Sequence, residues 1–317
     1  MGIGGRKVPT QTIPTSQINN EDPIEQKKMD GPKSPFVPQL PKFTFDQVIL
    51  NEKTLMEVYD TLAIKDKSDL VFEEWGLSTT HKHSKKVGIN LYGAPGTGKT
   101  MVAHAIAHHL DRQLIVVNYA DIESKYVGDT PKNLTEVFKV AKETDSIIFF
   151  DEADAMLSKR VTNMSSATDT SVNQTRSVLL TLLNDFDDVI LFATNYIENF
   201  DEAFMRRILA HIKFELPDYE CRVRLYETLI PKQLPTQDLD IHDLAASFDS
   251  VSGSDISNAV LRAAFKAART NEAYVKHAFF AEALDNIVLS KEANRGEVTS
   301  TTTVPVSEDY AFAQLNK

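Results

Sequence analysis

The stretch VGINLYGAPGTGKT, residues 87–100, joins a mostly apolar run to a glycine-rich turn and then to the start of a helical pattern. An apolar run of this length is typical of a strand that is buried on both faces of a parallel sheet. The turn contains Gly93, Gly96 and Gly98, and glycines let backbone N–H groups converge on one point. A helix that starts there adds further N–H groups and a favourable dipole. The stretch therefore predicts a strand–turn–helix unit that binds phosphate.

The turn fits the P-loop pattern G-x-x-x-x-G-K-[ST] without a mismatch, in the strand–helix context that the pattern requires. Lys99 is expected to bring positive charge to the β- and γ-phosphates of ATP, and the Thr100 hydroxyl is expected to bind Mg²⁺. The nucleotide-binding residues predicted from this segment are Gly93, Ala94, Pro95, Gly96, Thr97, Gly98, Lys99, Thr100 and Met101.

A second motif, SIIFFDEAD at residues 146–154, places carboxylates after a buried strand. The carboxyl ends of parallel strands are where open α/β sheets hold their ligands. Asp151 is predicted to bind the same Mg²⁺ as Thr100, and Glu152 to orient and deprotonate a water that attacks the γ-phosphate. An acidic pair at a strand end can also be merely solvated, but the P-loop upstream favours the catalytic interpretation.

Apolar runs alternate with amphipathic helical patterns, which predicts an α/β fold: a P-loop NTPase parallel sheet flanked by helices. The predicted strands are 87–93, 113–119, 146–152, 189–195 and 211–216, and the helices among them are 99–110, 131–142 and 171–183. After Pro217 the strands are expected to stop, and helices are predicted at 218–229, 238–247, 254–270 and 275–289.

These patterns predict a disordered arm (1–41), a large α/β ATPase domain (42–216), a small all-helical lid domain (217–292) and a disordered tail (293–317). Of the 317 residues 42% are hydrophobic and 25% charged, as in soluble globular proteins. The net charge of −11 disfavours general binding to nucleic acid. Cys221 is the only cysteine, and neither a signal peptide nor a membrane-spanning run is present, which predicts a cytoplasmic protein.

The motif order resembles that of the classical AAA family of ATPases, from about residue 43 to 287. The segments that carry the resemblance are the P-loop, IIFFDEAD, FATN, FDEAFMRR, LPD and VSGSDI. Within that family, DEAFMRR, LPD and SGSD look most like the microtubule-severing and ESCRT-disassembling (spastin- and katanin-like) members. Those members usually carry further basic residues after the arginine pair, where this chain has Leu209, Ala210 and His211.

The resemblance implies roles for five more residues. Asn195 matches the sensor that contacts the γ-phosphate and the attacking water, although an Asn can also simply form a turn. Arg206 and Arg207 match paired arginine fingers that reach a neighbouring subunit's site, so that the active form would be a homo-oligomer, expected to be a hexamer. Two solvated surface arginines are the alternative. Gly253 and Ser254 match the nucleotide-facing turn of the lid.

The loop SKYVGDT, residues 124–130, matches the family's first pore loop, in which Lys125, Tyr126 and Val127 would face a central channel and grip a polypeptide. Alternatively, Tyr126 folds back onto its own domain. Residues 159–174 would form a second loop toward the same channel.

Together these features favour an ATP-driven protein remodeller that pulls a polypeptide client through a ring. Two alternatives stay open: an AAA+ ATPase that acts on nucleic acid as a loader or initiator, and a nucleotide-dependent scaffold that translocates nothing. The net charge and the absence of an appended basic module disfavour nucleic acid as a partner.

Overall fold

The structure is a computed structural model that describes residues 34–81, 87–122, 129–158, 167–195 and 200–294. From Phe36 onward these residues belong to one compact unit. In this part of the chain, no helix is both long and apolar enough to cross a membrane.

A five-stranded parallel sheet forms the centre of the fold, with the strand order β2-β3-β4-β1-β5. The strands are β1 (Val87–Gly93), β2 (Leu114–Asn118), β3 (Ile147–Asp151), β4 (Val189–Thr194) and β5 (Ala210–Phe214). Each lies where the apolar runs predict it, with ends shifted by two residues at most. The predicted fold class, an α/β protein with a parallel sheet flanked by helices, is confirmed.

Eleven α-helices are present in the described part of the chain. They are α1 (Glu52–Asp66), α2 (Lys99–His109), α3 (Tyr119–Ile122), α4 (Asp129–Thr144), α5 (Asp154–Leu157), α6 (Ala167–Asp185), α7 (Glu202–Met205), α8 (Tyr219–Leu229), α9 (Ile241–Ser247), α10 (Gly253–Arg269) and α11 (His277–Asn294). The sequence pattern did not predict α1. Its buried positions are Thr54, Val58, Thr61 and Leu62, and because two of these are threonines its apolar face is weak.

The strands are apolar along their length because both faces of the sheet are covered. Ile147 and Phe149 in β3 pack in the core that α1 and α2 line, whereas Ile148 and Phe150 pack in the core that α4 and α6 line. The Phe150 ring stacks on Phe192 of β4, with ring centroids 5.3 Å apart. A strand in this position needs apolar residues at every step, which is the pattern that predicted it.

Residues 219–294 build a third core of their own from α8 to α11, which includes the fully buried Tyr226 and Phe280. The expectation that strands stop after Pro217 is wrong, because β6 (Thr236–Gln237) pairs in parallel with β7 (Val275–Lys276). Two-residue strands are too short for periodicity to detect. The division into an ATPase domain (42–216) and a lid (217–292) stays a prediction.

The ends of the predicted disordered segments need correction. The arm was expected to reach residue 41, but Phe36 is buried and Gln39 exchanges two backbone hydrogen bonds of 2.9 Å with Leu114. Leu114 belongs to the edge strand β2, whose outer N–H and C=O groups are free to pair with a passing segment. At the other end, α11 continues to Asn294, two residues beyond the predicted lid.

A charged cluster joins elements that are distant in sequence. The Asp188 carboxylate, just before β4, accepts hydrogen bonds from Arg112 Nη1 (2.7 Å) and Nη2 (2.6 Å) and from Lys65 Nζ (3.1 Å). Burial alone would raise the pKa of Asp188, but the Arg112 guanidinium and the Lys65 ammonium bring it below its ordinary value. The cluster ties α1 and the turn after α2 to the start of β4.

The Asp188→Asn variant is expected to lose about 1.5–3 kcal/mol of unfolding free energy at pH 7, because Arg112 loses a charged, bidentate partner. The folded-state pKa of Asp188 is depressed, so its contribution is present above the ordinary value of 3.8 and is lost as the pH falls below it. Urea unfolding at several pH values should therefore show the difference from wild type narrowing below pH 4. The exposed Asp249→Asn is the matched control, and equal losses in both variants would contradict the role of the cluster.

Candidate nucleotide-binding site

The P-loop starts where β1 meets β5. Gly93 ends β1 with φ +146°, and a Cβ at this position would lie 2.1 Å from the carbonyl oxygen of Phe214 in β5. No side chain fits there, so glycine is required for the strands to approach each other. The chain then turns through Gly96 (φ +76°) into α2, whose first residue is Lys99.

Lys99 is buried at the bottom of the turn. Its Nζ donates to the carbonyl oxygens of Gly93 (2.8 Å) and Ala94 (3.0 Å) and to Oδ1 of Asn195 (3.1 Å). Burial lowers the pKa of Lys99, while Asp151 and Asp154 act in the opposite direction. The contact with Asn195, which directly follows β4, brings the predicted P-loop lysine and the predicted sensor residue together.

Thr100 and Asp151 also meet at this site. Thr100 Oγ1 donates to Asp151 Oδ2 at 3.0 Å. Adjacent ligands of an octahedral Mg²⁺, each at about 2.0–2.1 Å, lie about 2.9 Å apart, so the two oxygens have a spacing that one magnesium ion could accept. The described residues contain no group of three or more His, Cys, Asp or Glu suited to a metal. Mg²⁺ bound together with phosphates needs only one or two protein oxygens.

Glu152 has an unusual backbone. Its φ is +51°, and the other four non-glycine residues with positive φ in the described part of the chain are all Asp or Asn. Asp and Asn tolerate this left-handed region, whereas for most residues it costs about 1–2 kcal/mol. The Glu152 N–H donates to Asp151 Oδ1 at 3.0 Å, and its carboxylate is exposed. Local strain therefore falls on the residue that the sequence predicts to be the general base.

Asp154 is a site residue that the sequence pattern did not single out. Its two carboxylate oxygens accept from the backbone N–H of Asn195 at 3.1 and 3.2 Å, so it holds the end of β4 next to the P-loop. The sequence did contain a signal for Asp154, because it is the third carboxylate of FFDEAD and follows Asp151 and Glu152 closely.

The amino end of α10 closes the site from the other side. Ser252 caps the helix: its Oγ accepts from the Asp255 N–H at 3.3 Å, while Asp255 Oδ2 accepts from the Ser252 N–H at 2.6 Å. The N–H of Ser254 donates to the carbonyl oxygen of Gly96 at 3.3 Å. The predicted lid residues Gly253 and Ser254 thus lie directly against the P-loop.

A cavity of about 510 Å³ opens between these elements. The predicted residues Gly96, Thr97, Gly98, Lys99, Thr100, Met101, Gly253 and Ser254 all line it. Apolar walls come from Val48, Ile49 and Leu50 before α1 and from Leu225 and Leu229 of α8, and polar residues such as Asn51 and Glu215 complete the lining. A volume and a lining of this kind suit a flat heterocyclic base next to a polar phosphate site.

Arg206 and Arg207 lie away from this cavity. Arg206 is 78% exposed, and Arg207 donates from Nε to Asn184 Oδ1 (2.8 Å) and from Nη1 to the Ala203 carbonyl oxygen (2.7 Å). Their turn packs against Gly88, close to the amino end of β1. Gly88 and Gly93 are five residues apart, about 16 Å along a strand, so the arginines are not brought to their own P-loop.

The predicted pore-loop residues Lys125, Tyr126 and Val127 lie outside the described residues. The same is true of residues 159–166, the first half of the predicted second loop.

The fold and the site define a P-loop nucleotide-binding protein of the α/β class. The family model for "ATPase family associated with various cellular activities (AAA)" matches residues 89–216. The chain belongs to the AAA family, which confirms the predicted family and indicates nucleotide binding.

Relatives along most of the chain carry proteasomal names. A 26S proteasome regulatory subunit 8 homolog of Saccharomyces cerevisiae is 30% identical over 289 residues, which are 89% of this chain and 67% of the relative. A 26S proteasome regulatory subunit 4 homolog of Dictyostelium discoideum is 30% identical over 295 residues, which are 89% of this chain and 66% of the relative. A proteasome-activating nucleotidase of Methanopyrus kandleri is 30% identical over 268 residues, which are 82% of this chain and 60% of the relative. The chain thus spans about two thirds or less of the length of these relatives.

Replacing Gly96 with Ala tests the contact between the P-loop and the lid. A Cβ at this position would lie 2.7 Å from Ser252 Oγ and 2.8 Å from Ser254 Cβ, at a φ that disfavours alanine. We expect a loss of about 1–2 kcal/mol of stability and, since the lid is displaced, a loss of about tenfold or more in affinity for a fluorescent ATP analogue.

Gly76→Ala is the matched control, because Gly76 has a similar φ of +75° with nothing within 4 Å of its added Cβ. It should lose similar stability in thermal unfolding and keep its nucleotide affinity. An equal affinity loss in both variants would show that backbone strain, and not the lid contact, is responsible.

Proposed function

We propose that this chain is a Mg²⁺-dependent ATPase that works as a ring oligomer and pulls on a polypeptide client. The observation that carries the proposal is the convergence of Lys99, Thr100, Asp151 and Asn195 at the open end of the sheet, in contact through two hydrogen bonds of 3.0–3.1 Å. These residues come from three separate segments of the chain, and together they supply the groups that phosphoryl transfer requires.

In the proposed reaction, a water attacks the γ-phosphorus of ATP while the bond from that phosphorus to the bridging oxygen breaks, releasing ADP and phosphate. Glu152 takes the proton of the water, and Asn195 orients the water. Lys99 exchanges its present acceptors, the carbonyl oxygens of Gly93 and Ala94 and the Asn195 side chain, for phosphate oxygens. Mg²⁺, held by Thr100 and Asp151, would neutralise charge on the β- and γ-phosphates.

A ring is proposed because the arginines predicted to be fingers lie far from their own P-loop. Arg206 is largely exposed, and the turn that carries the pair lies at the opposite end of β1 from Gly93. A second subunit placed against this turn could receive both guanidinium groups in its nucleotide site. There they would stabilise the charge on the phosphoryl group of the ATP that the second subunit hydrolyses. A contact between two different surfaces of one chain generates a closed ring when its rotation closes and an open filament when it does not. We propose a closed homo-oligomer, with six subunits as the expected number.

A protein client is proposed on two grounds. The predicted pore loop with Tyr126 offers a flat aromatic that grips many sequences by modest contacts. The relatives named above are proteasome regulatory subunits and a proteasome-activating nucleotidase, names that connect them with protein and not with nucleic acid. The finer resemblance to severing and ESCRT-disassembling members stays a prediction, because the relatives named above have proteasome-related names. Cytoplasmic location also stays a prediction.

The Glu152→Gln variant should bind ATP with wild-type affinity but hydrolyse it about 10²–10⁴ times more slowly, because the amide cannot take the proton of the attacking water. Phosphate release and titration with a fluorescent ATP analogue measure the two properties separately. The exposed Glu143→Gln, on α4, is the matched control. Hydrolysis at the wild-type rate in Glu152→Gln would remove Glu152 as the base.

The Tyr126→Ala variant should hydrolyse ATP normally but fail to disassemble or unfold clients. The clients for this assay can be identified by capturing them on ATP-loaded Glu152→Gln rings. The exposed Tyr274→Ala, on the lid, should leave both activities unchanged. Full remodelling by Tyr126→Ala would reject the pore role and favour a scaffold. Stimulation of the wild-type ATPase by DNA and not by protein would favour a function on nucleic acid.

A further inference from the structure

Three polar side chains cross the otherwise apolar centre of the sheet. Asn90 of β1 and Thr194 of β4 are 0% and 1% exposed, and His211 of β5 is half-buried. Thr194 Oγ1 donates to Asn90 Oδ1 at 3.2 Å, and Asn90 Nδ2 lies 3.5 Å from Nδ1 of His211, its register partner on β5. Polar groups in a sheet core cost free energy unless they are paired, so an apolar core would be the simpler solution if only stability mattered.

His211 is suited to be a neutral acceptor. Burial lowers its pKa, and the nearby backbone of Met205 only partly opposes this. A neutral imidazole with its proton on Nε2 leaves Nδ1 free to accept from the Asn90 amide. Nε2 itself is buried and has no partner of hydrogen-bond geometry among the described residues. The ring is thus placed between Asn90 and the end of α7, which directly precedes Arg206.

The arginine turn, residues 206–209, also packs against β1. The N–H of Leu209 donates to the Gly88 carbonyl oxygen at 2.9 Å. A Cβ added at Gly88 would lie 3.3 Å from Ile208 Cα and 3.4 Å from the Arg207 carbonyl oxygen, so a larger residue would have to push the turn away slightly. β1 therefore carries the P-loop at its carboxyl end and supports the arginine turn at its amino end.

The three polar side chains lie between the arginine turn and the phosphate site of the same subunit. Thr194 is followed by Asn195, whose side chain accepts from Lys99. Phosphate oxygens compete for the Lys99 ammonium, so nucleotide binding replaces its contact with Asn195, which is joined to Thr194 through the backbone of β4. At the other end of the three side chains is His211, four residues after Arg207 on the strand that leads away from the turn.

We propose that Gly88 and His211 are positioning residues for Arg206 and Arg207, and that Asn90 links their placement to the nucleotide in the same subunit. Each subunit would thereby present its arginines to the neighbour according to what its own site holds. The inference rests on the proposed finger role, and the experiment below separates failure of the one from failure of the other.

Single variants of His211 test its contact with Asn90. His211→Leu removes the acceptor for Asn90, whereas His211→Asn places an amide close to the position of Nδ1. We expect His211→Leu to lower kcat of the full-length oligomer for ATP by about tenfold, with little change in KM, and His211→Asn to restore most of the rate. Gly88→Ala should lower kcat in the same way, because it displaces the turn and not the P-loop. An unchanged kcat in both His211→Leu and Gly88→Ala would overturn the proposal.

Mixed oligomers separate a positioning role from a merely structural one. Glu152→Gln subunits bind ATP but do not hydrolyse it and keep their arginines, and Arg206→Ala/Arg207→Ala subunits have the reverse defect, so their mixture should regain ATPase activity. Adding His211→Leu to the Glu152→Gln chain should lower the regained activity by about tenfold, and adding it to the arginine-deficient chain should not. Should His211→Leu fail to fold, Gly88→Ala carries the same test.

The outcomes are distinct. Absence of rescue in the reference mixture would overturn the finger assignment and the positioning role with it. Rescue in the reference mixture, with equal losses from His211→Leu in either chain, would overturn the positioning role alone, because a structural defect acts wherever it is placed. A loss confined to the arginine-deficient chain would show that His211 serves its own site.

Discussion

The close approach of β1 to β5 at Gly93 is the constraint on which the rest of this structure depends. A Cβ there would lie 2.1 Å from the Phe214 carbonyl oxygen, so the two strands can pair along their length only if this residue is glycine. Because β1 also pairs with β4, it lies between β4 and β5, and the turn that follows it emerges between these two neighbours. The P-loop is therefore placed by backbone sterics before any contact with a ligand.

Electrostatics follow from that placement. The Lys99 ammonium is buried where three oxygens accept from it, and burial lowers its pKa while two carboxylates oppose the effect. All three of these acceptors are neutral, so an anionic phosphate is a stronger partner for the same ammonium. Lys99 is held in place by neutral protein oxygens that a nucleotide phosphate can replace. The same reasoning applies to Thr100 and Asp151, whose oxygens are spaced as two adjacent ligands of one magnesium ion.

Much of this molecule is predictable from local patterns, and the failures have physical causes. The five strands were predicted because burial on both faces requires uninterrupted apolar residues, and the P-loop because its glycines, lysine and threonine are adjacent in sequence. Helix α1 was missed because two of its four buried residues are threonines. The ordered segment around Gln39 was missed because its pairing partner, Leu114, lies in an edge strand 75 residues further along the sequence. Asp154 was missed because its role depends on a backbone N–H that belongs to another strand.

The sequence by itself determined the class of fold, the positions of the strands, the family and the chemical groups of the phosphate site, since each is encoded by residues that lie close together along the chain. Only the tertiary structure decided which of those groups meet: Lys99 with Asn195, Ser254 with Gly96, and Asn90 with both Thr194 and His211. It also decided that Arg206 and Arg207 lie at the far end of β1 from the P-loop. The reason is geometric, because residue spacing fixes local conformation, whereas contacts between distant segments depend on strand order and on how closely backbones can pack.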